Sequence, residues 1–212
     1  MTTGQEAAVV CQAASVLLQY PDEAFHERVP LVAAAVAELP PGPARSALRA
    51  HLDHLADTAS RELAENYVAT FDRRRRCCLH LTWWRDGETR RRGQALADLK
   101  ARYRSRGLET GSDELPDYLP AVLEYAAMGD LTDGLALLQE HRAGIELLRL
   151  ALEEAGSPHA EVVRAVCSLL PGPSPRDRAA ARALARTGPP QETVGLAPYT
   201  VPSLPSPEEA RR

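Results

Sequence analysis

Residues 67–125 read YVATFDRRRRCCLHLTWWRDGETRRRGQALADLKARYRSRGLETGSDELPDYLPAVLEY, and their spacing decides the fold. Leu96, Leu99 and Tyr103 recur at three and four residues, as do Leu119, Val122, Leu123 and Ala126. Just upstream, Leu63, Tyr67 and Phe71 stand four apart. These are the periods of buried helix faces, and no run in the chain alternates apolar and polar over strand length. The same stretch holds seven of the ten aromatic residues, including both tryptophans. Twelve of the 25 basic residues lie between Arg73 and Arg106, a window of net +9 in a chain of net −4. Large rings beside guanidinium groups suit a surface that holds a partner.

Upstream, Gln5–Gln19 places Ala7, Val10, Cys11, Ala14, Leu17 and Leu18 on one helix face, and Pro21 stops it. Asp22 is placed to cap a short second helix, and Pro30 suits the first turn of a third, running to about Leu39. After the break Pro40-Pro41-Gly42-Pro43, helices are expected over Ala44–Thr58 and Ser60–Phe71. Arg73–Asp86 has no clean period and reads as a connection or an irregular helix. Glu88–Arg106 reads as a helix ended by Gly107, and Gly111-Ser112-Asp113 as a loop. Pro116 is expected to open a helix to Met128, and Thr132–Ala155 to form the longest one. Leu131, Leu138, Ile145 and Leu152 repeat there at seven residues; Ser157-Pro158 then starts a last helix ending near Leu170. The expectation is an all-α single-domain helical bundle over residues 1–170. Residues 171–212 hold nine of the 17 prolines and read as a largely loose tail with one short helix at Arg176–Arg186.

Several function classes find no support. No stretch approaches the ~20 apolar residues of a spanning helix, and nothing at the N-terminus reads as a signal peptide, so the protein is expected in the cytoplasm without membrane insertion. Glu23-x-x-His26 is half of a di-iron helix motif, and His51-x-x-His54 offers two imidazoles without a third ligand, so no metal is expected. His80 lies near Cys77 and Cys78, but no orienting third residue accompanies them, and nucleophile-elbow and phosphate-loop motifs are absent; the chain does not read as an enzyme. Without a C-x-x-C pair the four cysteines read as reduced thiols, although arginines beside Cys77-Cys78 would favour thiolate there.

Two binding readings remain. Arg73–Arg76, Arg85 and Arg90–Arg92, with the tryptophans, would track phosphates and stack bases in an arginine/aromatic RNA-binding helical protein. A solvated arginine run with both tryptophans partly in the core is the plainer account of the same residues. Peptide binding fits better: Tyr67, Trp83, Trp84 and Tyr118 line an apolar trough that takes an amphipathic helix, and nucleic acid is not expected as partner. Adjacent helical residues point about 100° apart, so one tryptophan is expected in the core and the other in the groove. Arg90 and Arg92 diverge unless the helix begins after them. Gly87 and Gly93 would permit close backbone approach. Asp117, read as one residue into a helix, would cap it, pair with a cation or bind a partner.

The order of residues carries a resemblance. Tyr67-Val68-Ala69-Thr70-Phe71-Asp72 precedes Leu79-His80-Leu81; then come Gly87, Arg90, Arg92-Gly93, Tyr103 and Gly107-Leu108, and Glu114-Leu115-Pro116-Asp117-Tyr118-Leu119-Pro120 closes the series. This resembles the NarJ branch of the TorD/DmsD/NarJ family, system-specific chaperones of molybdenum enzymes. The likeness is close from Leu63 to Ala127 and looser from Val9 to Pro41, where Leu17-Leu18-Gln19-Tyr20-Pro21-Asp22 fits. It implies an all-helical protein without a cofactor of its own. It implies binding of the apo catalytic (alpha) subunit of respiratory nitrate reductase, including its N-terminal segment, while the molybdenum cofactor is inserted and before membrane docking. Molybdenum cofactor biosynthesis proteins would be further partners. By position, the implied client-binding residues are Tyr67, Phe71, Asp72, His80, Leu81, Gly87, Arg90, Arg92, Gly93, Pro116, Asp117 and Tyr118. Trp84 and Tyr118 stand where many relatives carry histidine, a departure that leaves an apolar trough intact.

Overall fold

The helical periods become eleven α-helices and no strand among the described residues of the computed structural model, which are 1–108, 111 and 114–187. They are α1 (Thr3–Leu17), α2 (Glu23–Glu38), α3 (Pro43–Asp57), α4 (Ser60–Tyr67), α5 (Leu81–Asp86), α6 (Arg90–Ser105), α7 (Leu119–Glu124), α8 (Leu131–Glu140), α9 (Arg142–Glu154), α10 (His159–Cys167) and α11 (Arg178–Thr187). Polar side chains start several of them. Thr2 and Gln5 form a capping box on α1, Asp22 accepts from the Phe25 amide at 2.8 Å on α2, and Asp130 accepts from the Asp133 amide at 3.0 Å on α8. Gly107, at φ 74°, ends the chain's turn out of α6 as the left-handed residue expected there.

α1 is the central element, packed against α2, α7, α8 and α10. Its alanines make this possible: Ala7, Ala13 and Ala14 are buried beside Val10, Val16 and Leu17, and short side chains let neighbours approach on several sides. α10 is the second inner helix, burying Val162, Val163, Ala165 and Val166 between α1, α3 and α9.

The structure corrects four element boundaries. Pro30 lies inside α2 and does not begin a new helix. The lost hydrogen bond falls at an exposed position, while Phe25, Val32 and Val36 bury on either side of it; that burial offsets the ~3 kcal/mol of an interior proline. Ser60–Phe71 is helical, but its end winds into a π turn over Val68–Asp72, and a second π turn covers Tyr125–Gly129. The expected long helix over Thr132–Ala155 breaks at His141 into α8 and α9. α9 then meets α5 at Gly144, where a β-carbon would stand 2.7 Å from Trp84 Cβ. Finally, no helix opens at Pro116: α7 begins at Leu119, after the short non-helical run Pro116–Tyr118.

The start of the Pro-rich segment is tied down. Arg142 donates to the carbonyls of Gly172 and Pro173 at 2.7 and 2.9 Å, and Arg149 donates to that of Pro175 at 2.6 Å. Ser174 donates to Glu146 at 2.6 Å, and α11 packs on α9. The rest of the tail, and Ser112 and Asp113 of the expected loop, lie outside the described residues. No helix among the described residues is long and apolar enough to cross a membrane.

Candidate functional site

The irregular stretch after α4 and the one before α7 meet as an isolated antiparallel bridge, His80 opposite Tyr118. The Leu81 amide donates to the Asp117 carbonyl at 2.9 Å, and the Leu119 amide donates to the Leu79 carbonyl at 2.8 Å. Both segments satisfy their backbone this way where neither is helical. The bridge also explains why Arg73–Asp86 shows no clean period: it answers to a partner segment far away in the chain.

Asp117 sits at the centre, fully buried. Its Oδ1 is 3.1 Å from His80 Nδ1; its Oδ2 accepts from the Thr82 amide at 3.1 Å and from the Thr82 hydroxyl. Arg92 approaches Oδ2 at 3.9 Å and donates from Nε to the Thr82 hydroxyl at 3.3 Å. Burial works to raise the carboxyl, but the hydrogen bonds from His80 and Thr82 outweigh it and hold Asp117 below the usual carboxylate range. The residue read as a helix-start cap instead ties together the bridge, α5 and α6. Pro116 before it is buried, and its carbonyl accepts from Tyr103 Oη at 2.9 Å.

Tyr118 carries the site toward the aromatic cluster. Its hydroxyl lies 3.4 Å from that of Tyr67, which donates to the Leu18 carbonyl at 3.1 Å. Burial pushes both phenols above their ordinary value. The Tyr67 ring packs against Tyr20 (5.5 Å), Phe71 (4.7 Å) and His159 (5.8 Å), and His159 continues to His51 at 5.0 Å. On the other side the Tyr118 ring is 5.6 Å from that of His80. His51 and His54 do share a face of α3, with His159 beside them, but no group of three or more His, Cys, Asp or Glu among the described residues could hold a metal ion. Burial lowers His51 to about 4 and pushes His159 well down, so both rings are neutral at ordinary pH.

The sequence-derived site residues fall into three groups. Tyr67, Leu81, Pro116 and Asp117 are buried. Phe71, His80, Trp83, Trp84, Gly87, Arg92 and Tyr118 are half-buried, while Asp72, Arg90 and Gly93 are exposed. α6 begins at Arg90, so the two arginines diverge: Arg92 turns in to Thr82 and Asp117, and Arg90 faces solvent. The tryptophans do not split into one buried and one exposed. Both are half-buried, with rings edge to face at 5.1 Å. Trp84 is the anchored one, donating from Nε1 to the Cys78 carbonyl at 2.9 Å and lying on Gly144.

A β-carbon added at Gly87 or Gly93 would meet no atom within 4 Å, so the space beside each is open. Gly87, at φ 56°, also makes the left-handed turn that ends α5. One further reading is corrected. Cys77 and Cys78 are not thiolate-prone, because burial raises both thiols despite the nearby arginines. Two residues gain a place that the spacing does not assign them, Thr82 and Tyr20. Thr82 is fully buried between Asp117 and Arg92, and its one signal is standing two residues after His80. Tyr20 is 47% exposed against Tyr67 and belongs to the Tyr-Pro-Asp run at the end of α1.

Comparison with known proteins bears on this arrangement. The family model described as nitrate reductase delta subunit matches residues 37–165. A Bacillus subtilis protein named as a probable nitrate reductase molybdenum cofactor assembly chaperone is 31% identical over 162 residues, which cover 76% of this chain and 88% of the relative. The Escherichia coli K12 nitrate reductase molybdenum cofactor assembly chaperone is 35% identical over 146 residues, 68% of this chain and 62% of the relative. A nitrate reductase-like protein of Mycobacterium tuberculosis H37Rv is 40% identical over 159 residues; these cover 75% of this chain but 24% of that longer protein. The chain therefore spans about a quarter of the mycobacterial relative it matches.

Proposed function

The chain belongs to the nitrate reductase delta subunit family, and from that membership we propose that it is an assembly chaperone of nitrate reductase. It holds the apo catalytic subunit, including its N-terminal segment, while the molybdenum cofactor is inserted and before the enzyme docks at the membrane. It acts in the cytoplasm, without catalysis of its own, beside the proteins that make the cofactor. The observation that carries this reading is coverage: the match takes in 88% of the Bacillus subtilis assembly chaperone.

A group of partly exposed rings supports this reading. Tyr20, Tyr118, His80 and Trp83 present partly exposed rings around the His80–Tyr118 bridge. Asp117, Thr82 and Arg92 brace the backbone that carries those rings. Rigid aromatic groups on a fixed backbone give much contact area for little lost entropy, which suits an apolar side of a client segment. Arg90 and Arg91 are exposed at the start of α6, and Arg85, paired with Asp86, is exposed in α5; these cations would meet acidic client residues.

The test is genetic and chemical. In a strain lacking this chain, the nitrate reductase catalytic subunit should accumulate without molybdenum, and the parent gene should restore the metal. A fully loaded catalytic subunit in that strain overturns the proposal.

A further inference from the structure

Beside the Cys77-Cys78 step, where the chain passes over the end of α9, lies a pocket of about 410 Å³. It is lined by Arg74, Arg75 and Arg76, by Cys77, by Ala151, Glu154 and Ala155 at the end of α9, and by Arg178 at the start of α11. The client-binding reading makes no use of it, and none of these residues belongs to the series that carries the family resemblance.

We propose that this pocket is a binding site for a small phosphate-bearing anion of two or more negative charges. Four arginines and a single acid line it, and that acid, Glu154, is already engaged by Arg178. Arg74 and Arg76 make no side-chain hydrogen bond or ion pair among the described residues, and Arg75 has only a loose, exposed approach to Glu88 at 3.8 Å. Guanidinium groups gathered around one concavity repel each other, and a multivalent anion removes that repulsion. Their forked donors match phosphate oxygens in pairs. The negative end of α9 and the positive end of α11 border the same space and offset each other, leaving the arginines to set its sign.

The floor narrows the ligand class. Cys77 is 1% exposed, and burial raises its thiol, so it presents a neutral apolar surface beside Ala151 and Ala155. A basic rim over an apolar floor, in a volume of small-ligand size, fits a diphosphate with a compact organic group.

The test is titration calorimetry of the full chain with inorganic pyrophosphate, a nucleoside diphosphate, citrate and a polyglutamate peptide. Pyrophosphate and the nucleoside diphosphate are expected to bind one to one, and more tightly than citrate. The double variant Arg74→Glu/Arg76→Glu, at exposed positions that leave the helices intact, should weaken both by about tenfold or more. The control Arg49→Glu/Arg104→Glu carries the same charge change elsewhere and should alter binding by less than about twofold, apart from general screening. Equal weakening by the control, absence of saturable binding, or citrate binding as well as pyrophosphate overturns the proposal. So does tighter binding of polyglutamate that Arg74→Glu/Arg76→Glu abolishes, which would assign the pocket to an acidic peptide.

Discussion

Thr82 grips Asp117 twice, with its amide at 3.1 Å and its hydroxyl both donating to Oδ2, although the two residues stand 35 positions apart. The carboxylate is shut off from solvent, so its acceptor sites depend on protein donors. Asp117→Ala would strand the Thr82 amide and hydroxyl and leave Arg92 facing an empty site. The expected loss is about 3 kcal/mol of stability, measured by urea unfolding. Asp117→Asn keeps the volume but turns one acceptor into a donor, and should lose about 2 kcal/mol.

The two tyrosine hydroxyls at the site differ in what they hold. Tyr67 donates to the buried Leu18 carbonyl, so Tyr67→Phe should cost about 1 kcal/mol in thermal or chemical melts. Tyr118→Phe removes only the 3.4 Å contact between phenols and should leave stability within about 0.5 kcal/mol of the parent.

Acid should destabilise the fold through His51. The ring is fully buried, and its value in the fold lies at about 4, against about 6.5 in the unfolded chain. The unfolded state therefore binds more protons between these values, so stability is fully present above pH ~6.5 and falls as the pH drops toward ~4. His159, also pushed down by burial, adds to the same loss. The combined effect should reach roughly 3 kcal/mol or more in urea melts at pH 4.5 against pH 7.5, and His51→Gln should remove the His51 share of it and leave that of His159.

Two glycine-to-alanine changes should move stability in opposite directions. At Gly134 a β-carbon would lie 2.4 Å from Ala126 Cβ and 2.5 Å from its Cα, and backbone cannot step aside. Gly134→Ala should therefore cost about 1–3 kcal/mol despite its better helix propensity. Gly93 has open space around it in α6, so Gly93→Ala should gain about 0.5–1 kcal/mol, read as a rise in midpoint. Loss of client binding by Gly93→Ala at unchanged stability would mark that open space as occupied by the client.

Much of this fold is legible in the residues, because helix periodicity is local. The spacing of Leu96, Leu99 and Tyr103 puts them on one side of a helix, and Leu99 and Tyr103 are buried there with Ala95. What is not legible is non-local. Asp117 looks like a helix-start residue because Pro116 stands before it, but its partners Thr82, His80 and Arg92 lie 25 to 37 positions upstream. The close seat of Trp84 on Gly144, just past the break at His141, is likewise announced by no pattern within α8 or α9. Of the residues of the resemblance, His80, Leu81, Arg92, Asp117, Tyr118 and Tyr67 are linked through one bridge, and packing decides which are exposed: Leu81 and Pro116 turn inward while Tyr20, outside the main series, turns out.

Trp83 and Trp84 should separate binding from folding. Trp84 packs on the core and donates to the Cys78 carbonyl, so Trp84→Ala should cost about 3 kcal/mol of stability. Trp83→Ala should leave the helical content and melting temperature close to the parent's, its effect falling on the client.

On the proposed function, the ring surface around the His80–Tyr118 bridge holds the client. The decisive measurement is titration calorimetry of the full chain with a peptide from the N-terminus of the nitrate reductase catalytic subunit. The parent should bind one to one, and Trp83→Ala should weaken binding by roughly 2 kcal/mol with its fold intact. A parent that does not bind the peptide, or folded Trp83→Ala and Tyr118→Ala variants that both bind it as the parent does, would rule this surface out.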